Sequence, residues 1–140
     1  MPDRDIILAK IGIIQRCLKR IKDVTNLDSS ALEDIDKQDI FVINLLRAIE
    51  SAIDIAAHIV ASEGLGLPST VRENFKLLYN TGIIDETMLK KMQSMVGFRN
   101  IAVHEYQSLD IEILKAILNK HLKDLEDFYT VIYKWTFPSE

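Results

Sequence analysis

The run Arg99-Asn100-Ile101-Ala102-Val103-His104-Glu105-Tyr106 gathers a permanent cation, an amide, an imidazole and a phenol. Arginine presents a planar, always charged fork of donors that matches phosphate oxygens, and histidine gains and loses a proton near neutral pH. That combination suits phosphodiester chemistry. Cleaving RNA without a metal ion needs a base for the ribose 2′-hydroxyl, a cation beside the crowded phosphorane and an acid for the leaving oxygen. One Arg99 and one His104 do not fill all three places, but two copies meeting in a symmetric dimer would. Asn100, whose amide has no useful proton affinity, is read as a supporting residue that orients its neighbours. A plainer reading also fits the spacing: a surface arginine and a histidine near a helix C-terminus, where positive charge meets the negative end of the helix dipole. Spacing alone favours the plainer one.

An element must hold these groups together. At about 100° per residue, with Arg99 at zero, Asn100 falls at about 100°, His104 at about 140° and Tyr106 at about −20°, which is one polar half. Phe98, Ile101 and Ala102 fall between about 200° and 300° and form the core side. Glu105 lands among the apolar residues, so the helix is expected to end or distort close to His104. Its start is set by Asp85 as cap, with Met88, Leu89, Met92, Met95 and Val96 as core filler.

The rest of the chain reads as helices of the same kind. Ile7, Ile11, Ile14, Leu18 and Ile21 mark a first helix from Asp5 to about Lys22, followed by a long connection over 24–37 with room for one short helical turn. A second helix, capped by Asp36, runs to about Ser62. Its apolar stripe is wide enough to suggest burial on more than one side, as in a bundle core plus an oligomer interface. Its polar remainder, Asn44, Arg47, Glu50, Ser51, Asp54 and His58, forms a narrow seam. Gly64 to Pro68 breaks that helix, Ser69 with Glu73 restarts one that ends near Asn80, and Asp110 opens a last long helix ending before Pro138. No strand pattern competes. The expected fold is all-α, an antiparallel up-and-down bundle of four to five helices in one domain over residues 1–140.

Several residues have competing readings. Asp54 and His58, one turn apart, could ligate a metal, but two ligands without a third make a weak site, so no metal is expected. Asp54 could instead line the same cleft as Arg99, or sit in an ion pair. Arg47 could bind RNA phosphate, or pair with Glu50 or Asp54. The glycines of 64–66 lack the length and the Lys-Ser/Thr ending of a phosphate-binding loop. Cys17 is the only cysteine and shares a helix face with Ile14 and Ile21, which reads as core. The aromatic cluster from Phe128 to Phe137 fits core or interface, and His121, between lysines, is given no role.

With 48% hydrophobic and 27% charged residues the chain has the balance of a folding protein, and its net charge of −4 argues against a general nucleic-acid coat while leaving room for a local site. The run Met1 to Asp5 carries acids where a secretory signal wants positive charge, and no apolar run is long enough to span a membrane. A cytoplasmic protein is expected.

The segment Val96-Gly97-Phe98-Arg99-Asn100-Ile101-Ala102-Val103-His104-Glu105-Tyr106 resembles the signature of the HEPN superfamily, Arg-x-x-x-x-His with Asn after the Arg, and its His-x-Tyr ending resembles the HepT-like branch. Arg47 to Glu50, Ile53 to Ala56, Gly64 to Pro68, Phe75 to Leu78 and Gly82 to Ile84 resemble that branch in order and spacing, over roughly residues 5 to 135. The first helix and the loop after it match only in character. The resemblance implies a homodimeric, metal-independent and cofactor-free endoribonuclease, the toxin of a two-gene toxin–antitoxin module, with Arg99 and His104 catalytic and leaving 2′,3′-cyclic phosphate ends. It implies as partner an MntA-type nucleotidyltransferase antitoxin, in a hetero-oligomer, that transfers AMP to the tyrosine of His-x-Tyr, here Tyr106. On the helical wheel Tyr106 neighbours Arg99, so an adenylyl group there would obstruct RNA by bulk and charge. The alternative is a non-catalytic helical subunit that binds a nucleotide or the nucleotidyltransferase.

Overall fold

The computed structural model describes residues 2–138. Met1, Ser139 and Glu140, which the one-domain reading includes, lie outside the described residues. Helix α1 spans Arg4–Thr25 and begins where the Asp3 side chain accepts hydrogen bonds from the N–H groups of Asp5 and Ile6. Its isoleucines at three- and four-residue spacing, with Cys17 among them, are buried as expected. Burial pushes the Cys17 thiol pKa up, against the opposing charges of Arg47 and Arg16. Asn26 and Leu27 then take left-handed backbone angles, φ 53° and 59°. A single 3-10 turn, Ser29–Glu33, is the short helical turn the connection had room for.

Helix α2 spans Ile35–Ser62 and is capped by Asp34, not Asp36. Either acid suits a helix N-terminus. Asp34 has the extended backbone of a cap and accepts from the N–H groups of Asp36 and Lys37, while Asp36 sits in the first turn and meets the positive end of the dipole. Helix α3, Val71–Asn80, is capped by Thr70, whose hydroxyl accepts from the Glu73 N–H. Ser69 stands one residue outside, where its N–H and hydroxyl donate to the Glu73 carboxylate at 2.9 and 2.7 Å. Helix α4 spans Glu86–His104 with Asp85 as cap, and it stops at His104, as the misfit of Glu105 indicates.

The last long helix is unbroken but changes its hydrogen-bond pattern midway. Asp110 caps α5, Ile111–Ala116, as expected, and a π turn over Ile117–His121 joins it to α6, Leu122–Thr136. The turn brings His121 Nδ1 to 3.0 Å from an oxygen of the buried Asp124, whose other oxygen lies 3.5 Å from Lys91. His121, given no role from the sequence, is exposed and has Asp124 as its partner.

Helices α1 and α2 lie along one another as the largest helix pair, and α4 packs on α2, α3 and α6. The architecture is the expected helical bundle, with no strand among the described residues. Phe41, Phe75 and Phe128 are fully buried, the last two edge to face at 5.7 Å. Truncating one of them is expected to cost about 3–5 kcal/mol. No helix among the described residues is long and apolar enough to cross a membrane.

Candidate active site

The polar seam expected along α2 divides in two. Asn44 and Ser51 turn into the core, Asn44 donating to the Ile40 carbonyl at 2.8 Å. Asp39, Ile43, Arg47, Glu50 and Asp54, spaced four, four, three and four apart, form a solvent-facing stripe. Arg47 is exposed and has no hydrogen bond or ion pair among the described residues, so neither Glu50 nor Asp54 is its partner. Asp54 pairs with Lys10 of α1 at 2.8 Å. His58 Nε2 accepts from the Asp3 N–H at 2.9 Å. The two residues weighed as metal ligands are thus engaged separately.

Arg99 reaches the stripe from α4. Its Nε donates to Glu50 Oε1, and its Nη1 donates to Asn100 Oδ1 at 2.9 Å. Two of the five guanidinium N–H donors are thereby fixed and three remain for a ligand. The carboxylate that meets Arg99 is Glu50, not Asp54. The Arg99 side chain is 23% exposed and that of Glu50 45%. A pair this accessible contributes on the order of 0–1 kcal/mol, so its consequence is the placement of the guanidinium rather than stability.

His104 is the last residue of α4 and is exposed. Beyond it the Glu105 backbone leaves helical geometry, φ −141° and ψ 52°, though its N–H still donates to the Ile101 carbonyl at 2.7 Å. Tyr106 opens a 3-10 turn, Tyr106–Ser108, and does not continue the helix, so the wheel angle that set it beside Arg99 does not hold. Its hydroxyl donates to Asp39 Oδ1 at 2.7 Å. That bond, with partial burial and the charge of Asp39 behind it, pushes the phenol pKa up to about 12. Asp39 and Glu50 are eleven positions apart on α2, which is about 16 Å along a helix axis.

The wheel also misplaces an apolar residue. Phe98 and Ala102 are buried, but Ile101 is 46% exposed and Val103 57%. With Ile43 on α2, 49% exposed, they leave apolar surface uncovered on α4, which carries Arg99 and His104, and on the α2 stripe that Arg99 reaches. From the sequence Glu50 was placed in the seam and weighed as a partner of Arg47, not of Arg99, and Asp39 was not singled out. For Glu50 the signal was its place on the polar face of α2; for Asp39 there was none, because its contact spans 67 residues.

The arrangement can bind a phosphate at Arg99 and move a proton at His104. The family model for ribonuclease HepT-like proteins matches residues 14–132. The chain is 42% identical over 128 residues to the mRNA nuclease HepT of Shewanella oneidensis, covering 91% of this chain and 96% of that protein. It is 30% identical over 106 residues to the tRNA nuclease HepT of Aphanizomenon flos-aquae, covering 75% and 72%. The solved structure of a tri-AMPylated Shewanella oneidensis HEPN toxin in complex with MNT antitoxin matches with a TM-score of 0.86 at 42% identity, over 92% of this chain and 97% of that one.

Proposed function

Because the chain belongs to the ribonuclease HepT-like family, we propose that it is an RNA-cleaving toxin, a cytoplasmic endoribonuclease restrained by a nucleotidyltransferase antitoxin that modifies Tyr106. The observation that carries the reading is the pairing of a positioned, incompletely used guanidinium at Arg99 with an exposed imidazole at His104 on the same helix. Arg99 binds the scissile phosphate and stabilises the charge that builds on it, while Glu50 and Asn100 hold its fork in place. His104 takes the 2′-hydroxyl proton or delivers one to the leaving 5′-oxygen. The 2′-oxygen attacks phosphorus, the bond to the 5′-oxygen breaks, and a 2′,3′-cyclic phosphate remains. No metal ion enters this reaction.

One chain is one helical domain and holds one imidazole in this position, so acid and base come from two copies. Exposed Ile43, Ile101 and Val103 give a second copy apolar surface to cover. Along the stripe the unpaired Arg47 meets RNA phosphate, and Asp54 contributes by holding Lys10 as a further cation. The related nucleases carry mRNA and tRNA in their names, and RNA is the substrate class common to both. The Shewanella oneidensis toxin is AMPylated and bound to its antitoxin; here Tyr106 is the acceptor, with the adenylyl group occupying the cleft.

The test is RNA cleavage by the purified protein in EDTA, with the new ends analysed. Cyclic phosphate ends, lost in Arg99→Ala and His104→Ala, are expected. Cleavage that needs added metal, or full activity in His104→Ala, overturns the mechanism. Incubation with the partner nucleotidyltransferase and ATP should raise the intact mass by AMP, and Tyr106→Phe should remove the gain.

A further inference from the structure

The cleavage reaction makes no use of Asp39, yet its carboxylate holds the Tyr106 hydroxyl at 2.7 Å across 67 residues of sequence. Tyr106 is 45% exposed in the turn after α4, so an enzyme can reach it, while its reacting oxygen is anchored to α2. A hydroxyl nucleophile within hydrogen-bond distance of a base is the arrangement by which weak nucleophiles are activated. Without an acceptor the phenol would be a poor one: at the ordinary tyrosine pKa near 10, the phenolate fraction at pH 7 is on the order of one in 10³, and the bond to Asp39 favours the neutral phenol further until the proton is passed on.

Resting on the reading of Tyr106 as the adenylylated residue, we propose that Asp39 is the general base of that modification, so that the toxin supplies the proton acceptor for its own inactivation. As Tyr106 Oη attacks the α-phosphorus of a nucleoside triphosphate held by the partner, its proton passes to Asp39. The Oη–P bond forms, the bond from the α-phosphorus to the bridging oxygen breaks, and pyrophosphate leaves with the electron pair; Asp39 then returns the proton to water. The product cannot resume the old contact. Its ester oxygen has no proton to donate, and its phosphodiester charge meets the Asp39 carboxylate that held the hydroxyl. The modified side chain therefore moves away from α2.

The charged groups beside the pair in the chain are Asp36 and Lys37 before Asp39, and His104 and Glu105 before Tyr106. Initial rates of AMP addition, followed by intact mass with the partner nucleotidyltransferase and ATP, should fall about 10²-fold or more in Asp39→Asn, and Asp39→Glu should recover part of the loss. The rate for Asp39→Asn should climb with pH toward the ordinary tyrosine range near 10, while the wild-type rate stays flat between about pH 6.5 and 9. Repeating both in a His104→Ala background removes the nearby imidazole as a cause. RNA cleavage by unmodified Asp39→Asn should equal wild type, which also shows that it folds. Modification of Asp39→Asn at the wild-type rate, or a loss equal at every pH, overturns the base. A mass gain that survives Tyr106→Phe would instead sink the reading of Tyr106 on which the base depends.

Discussion

Two carboxylates on one face of α2 are each met by a donor from the region of α4, and the two meetings differ in kind. Glu50 receives Arg99 from inside a regular helix whose neighbouring Phe98 and Ala102 are buried, and Asn100 holds the guanidinium from another side. Asp39 receives Tyr106 from a single 3-10 turn beyond the helix end, through one hydrogen bond. The first is a permanent cation fixed by packing, suited to binding phosphate repeatedly. The second is a tether that one chemical change to the hydroxyl abolishes. Their α2 anchors stand about 16 Å apart, roughly two Debye lengths at physiological salt. Charge at the tethered hydroxyl is largely screened at Arg99 of the same chain, so a modification acts there only once the side chain has left Asp39, bringing its bulk into the cleft.

The comparison breaks at its rigid end first. Arg99→Ala should lower RNA cleavage by about 10²–10³-fold and His104→Ala by a similar or larger factor, with little change in thermal midpoint because neither side chain lies in the core. If these losses came with equal losses of stability, Arg99 would be a structural ion pair. The tethered end is tested by the phenol itself. In Asp39→Asn the Tyr106 pKa should fall from about 12 toward the ordinary value near 10, read by NMR titration of the labelled ring. The folded state favours the neutral phenol, so the stabilisation is complete below about pH 10 and is lost as pH rises through about 12. The gap between the melting points of wild type and Asp39→Asn should hold steady up to about pH 9 and close above it.

The rigid end was largely legible in the sequence and the tethered end was not. Apolar spacing and the acids Asp85 and Asp110 placed the helices, since caps and periodicity are local signals. The misfit of Glu105 located the end of α4, yet the same wheel was carried two residues too far and set Tyr106 beside Arg99. Ile101 was read as core from its wheel angle, at the edge of the arc shared with Phe98 and Ala102, although this stretch of α4 leaves it exposed. Glu50 and Asp54 are the same chemistry one turn apart, and only the register of α4 against α2 decides which of them meets Arg99. The π turn at Ile117–His121 has no sequence signal in a segment whose apolar spacing continues through it.

That register can be tested at Glu50. Glu50→Ala frees the Arg99 Nε and should lower cleavage roughly tenfold, because a small misplacement of a catalytic group is costly. Glu50→Gln should keep most of the activity, since its amide oxygen still accepts from Arg99 while one negative charge leaves the RNA path. Faster cleavage by Glu50→Ala would mean that Glu50 competes with phosphate for the guanidinium. It would then restrain Arg99 rather than position it, and the two ends of the stripe would be alike.

The smallest expected effect separates the helix from its last turns. The Asp85 side chain accepts from the Met88 N–H at 2.8 Å at the start of α4, nineteen helical residues whose last is His104, a length of about 28 Å. Asp85→Ala should destabilise the fold by about 1 kcal/mol, measured by urea denaturation. If Arg99 is fixed by Phe98, Ala102 and Glu50 around it, cleavage by the folded variant well below its midpoint should not change, and neither should AMP addition at Tyr106. Loss of cleavage there would show that fraying at the start of α4 travels its length. Arg99 would then depend on the whole helix, and the rigid end of the comparison would be no better held than the tether.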